Sequence, residues 1–122
     1  MKKATKALFV LCFIMLAFGI ARAEDNYGAI AYSESSGNWG SSYDYGSRQQ
    51  AENAALNRCG SDDCEVKAWF KNSCGALAAG DDGALGWSWA ADSREEAESR
   101  ALSECRAKGS NCRILCWACT TR

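Results

Sequence analysis

SRQQAENAALNRCGSDDC, residues 47–64, and SREEAESRALSECRAKGSNC, residues 93–112, are two versions of one helix-forming stretch. Each begins with Ser, followed three residues later by Gln or Glu, which is the pattern of a helix N-terminal capping box. Alanine then recurs every fourth residue, and each stretch ends with a cysteine, a short loop and a second cysteine. This spacing predicts two helices, each of which presents a face of small side chains to a sheet.

The similarity continues on both sides of these stretches, at an offset of 46 to 48 residues. Gly-Ala-Ile-Ala at residues 28–31 matches Gly-Ala-Leu-Ala at residues 75–78. Short apolar or alternating runs bounded by Ser-, Asp- and Gly-rich turns are typical of strands, and there are two before each helix and one after it. The sequence therefore predicts an α+β domain of two tandem β-β-α-β repeats, about residues 27–73 and 74–119. We expect an antiparallel-rich sheet with both helices on one face.

The N-terminus has the organisation of a secretory signal peptide. Three lysines in the first six residues precede an apolar run at residues 7–20, and Ala21-Arg22-Ala23 is a small-residue cleavage site. We therefore expect cleavage after Ala23 and a location in the periplasm or outside the cell. The apolar run is shorter than the ~20 residues that a spanning helix needs, so no stable membrane anchor is expected.

Charge and composition exclude several classes of function. The chain has 14 basic and 15 acidic residues; removal of residues 1–23 takes away four basic residues and no acidic one, which leaves a net charge of −5. Such a chain is not expected to bind nucleic acid. It has no histidine, so the usual ligand and base of neutral-pH catalysis is missing. No catalytic residue, metal site or cofactor is predicted, and the chain is interpreted as a non-enzyme.

Seven cysteines follow the predicted leader, and in an oxidising compartment they are expected to form disulfides. The two helix-cysteine-loop-cysteine segments are equivalent, which favours one bridge within each. Of the three remaining cysteines, either of the last two could bridge the first, and we expect the bridge that ties the middle of the chain to its end. The predicted disulfides are Cys59–Cys64, Cys105–Cys112 and Cys74–Cys119, with Cys116 as a buried free thiol.

Aromatic residues are the main functional lead. Strand alternation places Trp69 and Trp117 on the strand face opposite Val66 and Ile114. The aromatic residues form either a second core or an exposed binding platform, and such a platform would suit sugar stacking or a protein hot spot. The candidate platform residues are Trp39, Tyr43, Trp69, Trp87, Trp89 and Trp117.

Four segments of the sequence resemble a bacterial family. They are YGAIA at residues 27–31, WFKNSCGALA at 69–78, GWSW at 86–89 and CRILCWACT at 112–120. Together they resemble domain of unknown function 4189, over essentially the whole chain after the leader. The resemblance implies a small exported protein with disulfides and no assigned catalytic residue. Cys116 departs from the family pattern, in which an aliphatic residue is usual.

The functional expectation is a secreted or periplasmic interaction module that binds an unknown protein, for example as an inhibitor or a host-interacting factor. The alternative is a cell-wall or glycan-binding domain that uses surface tryptophans. The sequence does not predict the oligomeric state.

Overall fold

A computed structural model describes residues 25–121, which form six strands and two helices; the predicted signal peptide lies outside these residues. The elements follow the order β-β-α-β twice, as the repeat predicts. They are β1 (Tyr27–Tyr32), β2 (Trp39–Tyr45), α1 (Arg48–Cys59), β3 (Glu65–Lys71), β4 (Cys74–Ala79), β5 (Leu85–Ala91), α2 (Arg94–Lys108) and β6 (Arg113–Cys119).

The α+β class and the two repeats are confirmed, but the layers differ from the expected ones. Each repeat forms its own three-stranded antiparallel sheet, in the orders β2-β1-β3 and β5-β4-β6. The sheets face each other, with β1 against β4, β2 beside β6 and β3 beside β5. Each helix covers the outer face of its own sheet. The result is a four-layer sandwich instead of one sheet with both helices on one face.

The central strands explain the sandwich, because both of their faces are buried. In β1, Ala29 and Ala31 pack against α1, whereas Ile30 points to the other sheet and belongs to the same buried cluster as Leu77 of β4. All three β1 residues are fully buried. A continuous apolar run is typical of a strand that is covered on both sides. Small residues therefore face the helix, and large ones fill the space between the sheets.

The helices approach their sheets closely and are held by a repeated polar contact. A Cβ at Gly40 of β2 would overlap the backbone of α1. Next to this contact, the buried Ser42 hydroxyl donates a 2.7 Å hydrogen bond to the Ala51 carbonyl oxygen. Ser88 makes the same 2.7 Å bond to Ala97 in the second repeat. Because each helix lies this close to the backbone of its sheet, there is no room between them for larger side chains.

Both helices begin at the predicted caps. The Ser47 hydroxyl accepts a hydrogen bond from the Gln50 backbone N–H at 3.2 Å, and Ser93 accepts one from Glu96 at 3.1 Å. Helix α1 ends at Gly60, whose φ of 74° is the left-handed conformation that favours glycine. The cap residues of the sequence therefore define where the helices start.

One aromatic ring fills the centre of the sandwich. Phe70 of β3 is 1% exposed and packs between the sheets. A Cβ at Gly28, on the same sheet, or at Gly75, on the opposite sheet, would lie 2.7 Å or less from this ring. The position equivalent to Phe70 in the second repeat is Ala118, which belongs to the same cluster. At this pair of equivalent positions, only the first repeat contributes a large side chain.

Irregularities in the third strand of each repeat change which side chains share a face. The register of β3 against β1 shifts between Ile30 and Ala31, so Val66 and Trp69 both lie on the side of α1. The expectation that they occupy opposite faces is wrong, because a bulge breaks the strand alternation. The same shift occurs in β6, where Ile114 packs on the side of α2.

Candidate functional site

The six aromatic residues predicted as one platform are divided between two edges of the sandwich. Strands β3 and β5 lie side by side along one edge, and β2 and β6 along the other. A single platform of six residues is therefore not present in the described part of the chain. The first edge carries Trp69, Trp87 and Trp89, and the second carries Trp39, Tyr43 and Trp117.

The first edge contains an open groove between β3 and β5, with a volume of about 480 Å³. This volume is within the range of about 300–1,000 Å³ that is typical of ligand sites. The three tryptophans of this edge converge on it, together with two lysines. Its lining residues are Lys67, Ala68, Trp69, Phe70, Lys71, Trp87, Trp89 and Ala90.

Strand β5 presents its two tryptophans differently. Trp87 packs against the cluster between the sheets, whereas Trp89 is 55% exposed. Next to Trp89, Ala90 has a φ of 57°, where the pairing of β5 with β4 shifts register. A bulge of this kind re-aims neighbouring side chains. Trp87 thus forms part of the groove wall, and Trp89 projects at its rim.

Cations lie over the rings of the other two groove tryptophans. The guanidinium carbon of Arg48 is 4.3 Å from the centroid of Trp69, and Arg48 also pairs with Glu52 at 3.0 Å. The Lys67 and Lys108 ammonium groups are 5.5 and 5.0 Å from the centroid of Trp87. Cation–π contacts of this kind orient a ring and occupy its face.

Lys67 lines the groove and forms ion pairs with two glutamates on the surface. Its ammonium group is 3.2 Å from Glu34 and 3.4 Å from Glu65, and its side chain is only 11% exposed. Burial acts to lower the pKa of Lys67, but the hydrogen bonds and charges of Glu34 and Glu65 outweigh burial and raise it. Lys67 is therefore a fixed positive charge at neutral pH.

Lys71 is the second cation of the groove and is half-exposed. Its ammonium group lies 3.2 Å from Asp25. The hydrogen bond from Asn72, followed by that from Lys71, lowers the pKa of Asp25, and the contact with Asp25 raises the pKa of Lys71. This pair is on the surface, where water and a partner can compete for it.

The second edge has the same framework but different side chains. Arg94 lies 4.2 Å from the centroid of Trp117, which reproduces the cation–π pair of the first repeat. Here the Asp44 carboxylate accepts hydrogen bonds from the backbone N–H and the hydroxyl of Thr121, at 2.6 and 2.7 Å. The end of the described chain is thus bound to this edge.

Comparison of the repeats indicates the groove residues that the sequence analysis missed. Lys67 and Lys71 correspond to Leu115 and Cys119, since Trp69 corresponds to Trp117. At these two positions the first repeat has a lysine, whereas the second repeat has a leucine or a disulfide-bonded cysteine. The signal was present in the repeat alignment, as positions where two otherwise similar halves differ in charge.

The three disulfides within residues 25–121 join the pairs predicted from the sequence, and Cys116 is the free cysteine of this part of the chain. Cys116 is 6% exposed and packs between the sheets, whereas Cys74 and Cys119 belong to the cluster under α2. Ile114 of the same strand packs on the side of α2, so it does not share a face with Cys116. Burial raises the pKa of the Cys116 thiol to about 12. A protonated, buried thiol is a poor nucleophile.

The family model described as a domain of unknown function, DUF4189, matches residues 27–119. The chain belongs to this family. The match covers both repeats of the DUF4189 domain, all six strands and all three disulfides. Three disulfides are typical of proteins in an oxidising extracellular or periplasmic environment.

Similar sequences and a similar solved structure come from mycobacteria. Protein Rv1269c of Mycobacterium tuberculosis and protein Mb1300c of Mycobacterium bovis are each 52% identical over 61 residues, which is 50% of this chain and 48% of theirs. The chain thus spans about half the length of these curated relatives. The NMR structure of Rv1813c from Mycobacterium tuberculosis is 32% identical, with a TM-score of 0.58, and the match covers 77% of this chain and 74% of that one.

Within residues 25–121, no helix is long and apolar enough to cross a membrane. No group of three or more His, Cys, Asp or Glu side chains there could hold a metal ion.

Proposed function

We propose that this DUF4189 domain is a secreted, non-catalytic protein-binding module whose binding surface is the groove between β3 and β5. The observation that carries the proposal is the convergence of three tryptophans and two lysines on one edge only. Tryptophan dominates the binding energy of many protein interfaces when it lies in or beside a pocket. Secretion rests on the predicted signal peptide at residues 1–23 and agrees with the three disulfides.

A binding role without catalysis is consistent with the chemistry of the chain. The sequence has no histidine, and the free thiol within residues 25–121, Cys116, is buried with a raised pKa. Neither a general base near neutral pH nor a reactive thiolate is offered to the groove. The groove instead provides apolar area and fixed positive charge.

The ring geometry favours a protein partner over a stacked sugar. Sugar stacking needs a free ring face, but Arg48 lies over Trp69, and Lys67 and Lys108 lie over Trp87. Tyr27 also stacks on Trp69, with the ring centroids 6.4 Å apart. The faces of Trp69 and Trp87 are thus partly covered, which suits side chains of a protein better than the flat face of a pyranose.

The test compares two equally exposed aromatic residues on opposite edges. Trp89 is 55% exposed and its counterpart in the first repeat, Tyr43, is 58% exposed, so truncation of either should leave the fold intact. Immobilised wild-type protein, Trp89→Ala and Tyr43→Ala are each incubated with envelope proteins and with host extracts, and captured proteins are quantified by mass spectrometry. We expect a partner that is lost with Trp89→Ala and retained with Tyr43→Ala.

Two outcomes would contradict the proposal. One is that both variants capture the same proteins as the wild type, which would show that the groove does not bind them. The other is that the wild type, but not Trp89→Ala, sediments with purified peptidoglycan while no protein depends on Trp89. That result would assign the groove to the cell-wall alternative.

A further inference from the structure

The charge of the groove is opposite to that of the chain. After removal of residues 1–23, the chain carries 10 basic and 15 acidic residues. The groove lining nevertheless contains two lysines, Lys67 and Lys71, and no carboxylate. Complementary potentials select binding partners and suppress those of the wrong sign. The groove therefore favours an acidic partner, although the protein as a whole repels one.

The ion pairs of these lysines can be exchanged. Lys67 pairs with Glu34 and Glu65, whose side chains are 69% and 72% exposed, and Lys71 pairs with Asp25, which is 49% exposed. Exposed ion pairs contribute little to stability, so a partner carboxylate can replace or join them at low cost. The Lys67 ammonium group is also held against the Trp87 ring, 5.5 Å from its centroid.

The outer edges of β3 and β5 differ in whether their backbone carbonyl oxygens are free to accept hydrogen bonds. Side chains of α2 already occupy carbonyl oxygens of β5: Lys108 donates to Leu85 at 3.3 Å and Arg100 donates to Trp89 at 3.4 Å. Strand β3 pairs with β1 on one side and is the edge strand of its sheet. Within residues 25–121 no side chain donates to a carbonyl of β3. Blocked edges resist strand addition, and open ones accept it.

We infer that the occupant of the groove is an acidic peptide segment in extended conformation, which pairs with the free edge of β3. Its carboxylates lie at Lys67 and Lys71, and an apolar side chain rests against Trp89. This inference rests on the proposed protein-binding function. It adds the charge of the partner segment, its conformation and the strand of this protein with which it pairs.

The test selects ligands from a displayed library of random peptides of about nine residues, which span about 30 Å when extended. The wild-type protein, with its disulfides intact, should enrich peptides that contain Asp and Glu. The charge-reversed variant Lys67→Glu/Lys71→Glu should enrich Lys and Arg instead. As a matched control, Arg113→Glu reverses an exposed cation of β6 and should select the same acidic peptides as the wild type.

Binding of one selected peptide is then measured by fluorescence anisotropy and by amide chemical shifts. Lys71→Gln should weaken the affinity about tenfold, and Lys71→Arg should restore most of it, because the positive charge is retained. Backbone amides of β3 should shift and gain protection from exchange, whereas those of β6 should not.

The outcomes separate this inference from the proposed function. If Trp89→Ala abolishes capture of a protein partner but the selected peptides show no acidic bias, the groove is a binding site and the inference is wrong. The same holds if the shifted amides lie in β5 instead of β3. If selection on the wild type and on the charge-reversed variant yields the same peptides, the lysines do not recognise the ligand.

Discussion

The disulfide between Cys74 and Cys119 should contribute more to stability than either of the other two. It joins residues 45 apart in sequence, whereas the Cys59–Cys64 bridge spans 5 residues and its counterpart in the second repeat spans 7. In the chain-entropy model, the stabilisation grows with the logarithm of the loop length. At 25 °C this gives about 4 kcal/mol for the long loop and about 2 kcal/mol for each short one.

The measurement is urea unfolding followed by tryptophan fluorescence, on double variants that remove both cysteines of one bridge. We expect Cys74→Ala/Cys119→Ala to lose about 2 kcal/mol more of the free energy of unfolding than Cys59→Ala/Cys64→Ala. Cys116→Ala serves as the control, since it removes one buried sulfur and breaks no bridge. It should cost about 1 kcal/mol.

Two results would refute this reasoning. Equal losses for the long and the short bridge would show that loop length does not determine their contributions. A loss with Cys116→Ala as large as that of the Cys74→Ala/Cys119→Ala variant would show that Cys116 is itself bridged. Native-state labelling gives an independent check, because a thiol with a pKa of about 12 should react at neutral pH only after unfolding.

Three further predictions follow from single side chains. Phe70→Ala should lose about 3–5 kcal/mol of the free energy of unfolding, because the ring is buried between two sheets; a loss below about 1 kcal/mol in urea titration would contradict its central position. Ser88→Ala should lose about 1 kcal/mol, the value of one buried hydrogen bond, here to Ala97; an unchanged unfolding midpoint would argue against that bond. The hydrogen bond from Ser33 lowers the pKa of Asp63, so its stabilisation is present above the usual pKa of about 3.9 and is lost as the pH falls through the lowered value. Asp63→Asn should therefore flatten the pH dependence of thermal unfolding between about pH 5 and 2, and an unaltered profile would exclude this role.

The repeat and the disulfides could be predicted from the sequence because both depend on local spacing. A capping serine, a face of alanines and a cysteine on each side of a short loop define the same unit twice. The stacking of two sheets was not predicted, because strand order is a long-range property. Its signal was nevertheless present in Gly-Ala-Ile-Ala at residues 28–31, an unbroken apolar run that needs cover on both faces.

The sequence predicted the tryptophans of the groove but not its lysines. Trp69, Trp87 and Trp89 were among the candidate residues, and the structure brings them together. Their separation from the other three aromatic residues depends on which strands become neighbours at each edge. Lys67 was not predicted as a groove residue, because a lysine in an alternating strand usually points to solvent. The bulge at Val66 moves side chains between faces in a way that alternation alone cannot reproduce.

Phe70 bears on the evolutionary origin of the fold. A symmetric dimer of a single, unfused repeat would carry identical residues at every equivalent position. Two phenylalanines would then compete for the centre, or two alanines would leave it empty. Fusion of two gene copies into one chain removes that constraint, since a ring on one half can be matched by Ala118 on the other. The same freedom allows one edge to carry Lys67 and Lys71 while the equivalent positions of the other carry Leu115 and Cys119.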